Sequence, residues 1–181
     1  MPRVPELSPD TFDSSRRALF DAFTGNGHHF ADQFSVLAHV GPAVDHLPQM
    51  LLELKARNAV PHRFIEIAIV VVSLLNDCEY CVSNHAPRLA VEGVSEAGAR
   101  RLLEYADHPE LSEVDKLVVE YAIAVTQQPQ RIRDNAFARL RAHFTEAQIV
   151  ELTLRIALCG FFNRFNQALQ IGEDATAVHP T

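Results

Sequence analysis

Apolar positions recur along this chain at three- and four-residue intervals, interrupted by glycine, proline and short polar stretches. That rhythm predicts helices throughout. Ser8 or Asp10 is placed to cap a first helix running to Thr24, with Phe12, Leu19, Phe20 and Phe23 as its apolar side. Gly25-Asn26-Gly27 breaks the chain, a short helix presents Phe30, Phe34 and Leu37, and Gly41-Pro42 ends it. Another helix is expected from Ala43 to Arg57, kinked or split at Pro48. Pro61 suits the first turn of a helix from His62 to Asn76. Its β-branched run, Ile67 to Val72, fits a strand by propensity. Fifteen residues without a turn signal suit a helix better, and one apolar nearly all round belongs at the centre of a core.

Asn76 or Asp77 is the expected cap of the following helix, which stops at Gly93. Ser95 caps a helix to Ala106, and Ser112 with Asp115 forms a capping box for one to Gln127, closed by Pro129. Asp134 caps residues 135–143, and Thr145 with Gln148 opens a long helix to Ile171, ended by Gly172. No stretch reads convincingly as a strand. The fold class predicted is all-α, a helical bundle in one domain over residues 1–181, with residues 1–47 as an N-terminal helical arm.

Composition narrows the function. The chain has 181 residues, 48% hydrophobic and 22% charged, as in a soluble globular protein. A net charge of −7 argues against nucleic acid or an anionic membrane as a standing partner. The N-terminal MPRVPELSPD has no apolar stretch resembling a signal peptide, and the most apolar run, Ile67 to Leu75, is too short to span a bilayer. The expected location is the cytoplasm, where a Cys-x-x-Cys pair is catalytic or metal-binding more often than a structural staple.

Two of the three cysteines form such a pair, Cys78 and Cys81, with His85 four residues beyond. On one helix Cys81 lies about 300° and His85 about 340° round from Cys78, so the three side chains share a stripe. A dithiol beside an imidazole provides what thiol redox chemistry needs: an attacking thiolate, a base and a resolving sulfur. Position at the helix N-terminus favours a thiolate at Cys78. Proximity to His85 favours one at Cys81. Glu66 stands on the apolar helix before the pair. It either pairs with Arg63 or His62 on its own helix or hydrogen-bonds His85 and fixes its tautomer. The other histidines, His28, His29, His39, His46, His62, His108, His143 and His179, read as solvated surface. Cys159 reads as a buried core thiol. Asp77 and Glu79 beside Cys78 are expected to raise thiol pKa.

The arrangement Glu66, eleven residues, Cys78, two residues, Cys81, three residues, His85 resembles the active-site motif of the AhpD-like alkylhydroperoxidases, within the carboxymuconolactone decarboxylase-like superfamily. The resemblance is clearest over residues 50–125, and ALCGFFNRFNQAL near the C-terminus also looks like the family. It implies an all-helical thiol peroxidase. Cys81 would attack a hydroperoxide, Cys78 would resolve the product, and His85 with Glu66 would move the proton. It implies no organic cofactor and no metal, re-reduction by a lipoyl or thioredoxin-like dithiol protein, and a homo-oligomer, trimer or hexamer. Tyr80 departs from the family, whose best-studied members carry histidine immediately before the second cysteine. Tyr80 and Asn163 are candidates to line the pocket. Alternatives are a lactone decarboxylase of the namesake type, a redox sensor, and a zinc module built from the two sulfurs, His85 and Glu66.

Overall fold

The computed structural model describes residues 2–25 and 29–172, and every regular element among them is helical. The expected break at Asn26 and Gly27, together with His28 and His179, lies outside the described residues. The chain forms two compact units, residues 1–58 with 166–181, and residues 59–165.

In the first unit Ser8 caps only a 3-10 turn, Pro9–Thr11. Helix α1 (Ser14–Thr24) starts later than expected, because Phe12 and Asp13 are extended and Asp13 accepts the Arg16 N–H at 2.9 Å as the cap. Helix α2 spans Ala31–Leu37 and α3 spans Gly41–Arg57. Gly41-Pro42 therefore opens α3 rather than ending α2. A proline in a first turn removes an N–H that has no helical partner anyway. Pro48 sits inside α3 without splitting it. Phe12, Phe20 and Phe34 pack with ring centroids 5.3–6.0 Å apart, and Arg16 forms a two-point ion pair with Asp45 that ties α1 to α3.

The second unit is built on α4 (His62–Leu75). Ile67, Ala68, Val70, Val71 and Val72 are fully buried. Each buried valine or isoleucine contributes about 1.5–3 kcal/mol, which outweighs the few tenths by which β-branching disfavours a helix. Around α4 lie α5 (Glu79–Val91), α6 (Glu96–Ala99), a 3-10 segment (Leu102–Asp107), α7 (Glu113–Gln127), α8 (Asp134–Arg141) and α9 (Glu146–Leu169). The expected helix from Ser95 to Ala106 is thus broken into α6 and a 3-10 segment, with Glu104 outside helical geometry. The Ser112–Asp115 capping box forms as expected. Asp115 also takes a two-point ion pair from Arg63 at 3.0 and 2.8 Å, locking α4 to α7.

The turn between α4 and α5 places the dithiol. Asp77 is left-handed, φ 51°, with its N–H bonded to Leu74 O at 3.3 Å, while the Cys78 N–H bonds to Ser73 O at 2.9 Å. This is a Schellman motif with an aspartate where glycine is usual. Asp77→Gly is expected to stabilise the fold by about 0.5 kcal/mol, or about 1–2 °C in midpoint. Asp77→Val is expected to lose about 1–2 kcal/mol, because a β-branched residue tolerates that conformation worst. Thermal unfolding of the two variants measures both.

Candidate active site

The Schellman turn leaves Cys78 as the N-cap residue of α5, without a side-chain cap. The expected caps are otherwise engaged: Asp77 closes α4, and the Asn76 amide donates to Asn163 Oδ1 at 2.9 Å. Cys78 and Cys81 are free thiols, 2% and 4% exposed. A hydrogen bond from Cys81 draws the Cys78 pKa down to about 7 against the opposing effect of burial; the Cys81 backbone N–H and the Asn163 side chain add to it. The same hydrogen bond, with burial and the neighbouring charge, pushes Cys81 up. The hydrogen bond thus eases the first ionisation of the pair and opposes the second. The retained proton lies between two hydrogen-bonded sulfurs, so the single negative charge belongs to the pair rather than to one residue.

Glu79 does oppose ionisation of Cys78, as expected. Its effect is limited because Arg100 takes its carboxylate at 2.7 and 3.1 Å.

Glu66 is 1% exposed on α4. Its Oε2 accepts from His85 Nδ1 at 2.7 Å, and its Oε1 lies 3.2 Å from His62 Nε2. Both candidate partners thus bind it at once, while Arg63 is committed to Asp115. Burial pushes the Glu66 pKa up. The His85 charge and the hydrogen bonds from His62 and His85 more than offset this and hold it well below the ordinary carboxylate range. With Nδ1–H donated to a carboxylate, His85 presents Nε2 as its acceptor, the form a general base requires.

Helix α9 runs parallel to α4. Gln148 Nε2 donates to Ala59 O at 2.7 Å, Cys159 Sγ to Ile69 O at 3.5 Å, and Asn163 Nδ2 to Ser73 Oγ at 3.3 Å. Asn163 is fully buried, and its side chain hydrogen-bonds toward the two thiols. Burial drives the Cys159 pKa up to about 12, so this thiol stays protonated beside Ser73. The register sets Arg155 level with Glu66. Arg155 feels the charges of Glu66 and Glu151, and burial lowers its pKa. Tyr80 is half-buried on α5, its carbonyl accepting from the Asn84 side chain at 2.8 Å. Among the described residues, no group of three or more histidine, cysteine, aspartate and glutamate side chains is arranged to hold a metal ion.

Arg155 escapes a sequence reading because Glu66 comes from another helix; its local signal was the i, i+4 spacing to Glu151. His62 does not belong to the solvated surface, and its signal was the i, i+4 spacing to Glu66. His108 also departs from expectation. It is 4% exposed, with Nε2 3.0 Å from Gly98 O and Nδ1 accepting the Glu110 N–H.

Residues 42–106, which contain Glu66, Cys78, Cys81 and His85, match the carboxymuconolactone decarboxylase family. The chain is 32% identical over 94 residues to the uncharacterized protein YnjA of Escherichia coli, a match covering about half of each chain (52%). It is 28% identical over 105 residues to the uncharacterized protein YdfG of Bacillus subtilis, covering 58% of this chain and 71% of that one. A crystal structure from Agrobacterium tumefaciens, of a protein of unknown function with a candidate AhpD role in antioxidant defence, superposes with a TM-score of 0.60 at 26% identity. The superposition covers 74% of this chain and 88% of that one. The debrominase Bmp8 shares the fold, with a TM-score of 0.75 at 16% identity over 96% of this chain and 91% of its own. Among the described residues no helix is long and apolar enough to cross a membrane.

Proposed function

We propose that this protein is a thiol-dependent oxidoreductase that reduces organic hydroperoxides through the Cys78–Cys81 dithiol. The observation that carries the reading is the pair of free, buried thiols at the start of α5, where hydrogen bonding favours ionisation of Cys78, in a unit that also holds the Glu66–His85 dyad. In the cycle, His85 takes the thiol proton, and the Cys81 thiolate attacks the terminal oxygen of ROOH. The O–O bond breaks, ROH leaves with a proton, and Cys81 becomes a sulfenic acid. Cys78 then displaces water from that sulfur to close the disulfide. A dithiol protein, of the lipoyl or thioredoxin-like kind, returns two electrons and two protons by thiol–disulfide exchange. Assembly into a homo-oligomer, trimer or hexamer, is part of the proposal and rests on the family resemblance.

The test is a thiol count by mass spectrometry, with alkylation before and after one equivalent of an organic hydroperoxide and again after a dithiol. The expected result is prompt loss of two thiols, at Cys78 and Cys81, restored by the dithiol, with Cys159 free throughout. Two thiols that remain free while the peroxide persists would overturn the reading and return attention to lactone chemistry.

A further inference from the structure

The ring of His62 lies between two carboxylates. Nε2 is 3.2 Å from Glu66 Oε1, and Nδ1 is 3.3 Å from Glu92 Oε1, just past the end of α5. A carboxylate only accepts, and a neutral imidazole has a single N–H. Both contacts are satisfied together only by an imidazolium. The surrounding charges agree. Arg63, next on α4, pairs with Asp115, donates to the Glu110 and Glu92 carbonyls, and brings its charge near Glu92. From α9, Arg155 lies within electrostatic reach of Glu66 and of Glu151 on its own helix. The charges that act on His62 are those of Glu66 and Glu92, both negative.

Glu66 has two oxygens and two histidines, one on each. A carboxylate held on one side alone can rotate about its last bond. Held on both sides, it keeps Oε2 aimed at His85. We infer that His62 acts as an imidazolium positioning residue, pinning Glu66 so that His85 keeps its Nδ1–H engaged and its Nε2 available as base, and linking the buried dyad to the partly exposed Glu92. His62 touches none of the reacting atoms; it acts through Glu66. Hydrogen bonding to Glu66 is the main cause that raises its pKa above the usual 6.5, against burial. The imidazolium is therefore fully present below 6.5 and is lost as pH rises through the raised value. That loss should appear at the thiols as a second inflection.

The kinetic part of this inference rests on the proposed dithiol chemistry, whereas the charge state of His62 does not. The experiment pairs ring nitrogen-15 chemical shifts of His62 with alkylation rates of Cys78 and Cys81 by iodoacetamide across pH. Below pH 6.5 both ring nitrogens of His62 are expected to carry protons. The alkylation profile is expected to show an alkaline inflection at the same pH as the His62 titration. Glu92→Gln, which leaves Glu66 and His85 in place, should move both to lower pH together. His62→Gln should abolish the inflection and lower alkylation at pH 7 on the order of tenfold, as for loss of the partner that orients a functional histidine. A neutral His62 at pH 6, or a His62 titration that moves in Glu92→Gln while the alkylation profile stays put, overturns the inference. Neither readout uses a peroxide, so failure of the peroxidase reading is seen separately in the thiol count.

Discussion

Serine in place of Cys81 is expected to end hydroperoxide reduction, with turnover falling about a thousandfold or more, because the nucleophile itself is gone. Serine in place of Cys78 should be as damaging to sustained turnover for a different reason. Cys81 can still lose its proton and react once, but its sulfenic acid has no neighbour to condense with and passes on to the sulfinic acid. Mass spectrometry separates the two variants. Cys78→Ser gains oxygen at Cys81 after peroxide, whereas Cys81→Ser gains none. The structure makes the comparison informative, because hydrogen bonding gives the easier ionisation to Cys78 while the resemblance gives the attack to Cys81. A monoanionic pair with one shared proton accommodates both, since the charge can reside on Cys81 at the moment of attack. Oxygen appearing on Cys78 in the Cys81→Ser variant would reverse the roles. Full turnover by Cys78→Ser would remove the resolving step. Cys159→Ala is the control. Its thiol is buried, protonated and bonded to Ser73 and to the Ile69 carbonyl, so peroxide turnover should persist in the variant.

The nearness of Cys78, Cys81 and His85 was legible because it is local: Cys81 and His85 lie one turn apart on α5, and Cys78 is its N-cap. The Ser112–Asp115 box was legible for the same reason. Elements decided by partners far along the chain were not. Asn76 looks like a helix cap, yet it is the C-cap of α4, and the Schellman turn at Asp77 starts α5 only at Glu79, with Cys78 as its N-cap. Asp13 caps α1 in preference to Ser8 or Asp10 because Pro9 supports only a 3-10 turn and the chain then extends through Phe12. His62 has the composition of a surface residue, and only the end of α5 brings Glu92 to it. A pattern of apolar positions places helices well, but it does not say which polar side chains the packing will oppose to one another.

Glu66 carries the largest effect on the fold within the site. Glu66→Gln keeps the shape but removes a buried negative charge that faces His62, His85 and Arg155. Removing one partner of a buried charge cluster leaves the others uncompensated, a cost of about 3 kcal/mol, or about 6–12 °C in unfolding midpoint. The pH dependence has a definite sign. The Glu66 carboxyl titrates well below its unfolded value of 4.5, so its contribution is complete above 4.5 and is lost progressively as the pH falls toward its folded value. The stability gap between the wild-type protein and Glu66→Gln should therefore be widest near neutrality and narrow steadily below pH 4.5. Chemical denaturation at pH 7, 5 and 3 measures that gap. A gap that stays constant across this range would mean that Glu66 is not held as a carboxylate by its histidines. The same variant should lose on the order of a hundredfold in thiol reactivity toward hydroperoxide, because a His85 without its carboxylate has neither a fixed tautomer nor a counter-charge when it takes the proton. Loss of stability without loss of reactivity would separate the two roles and leave Glu66 as a structural anchor alone.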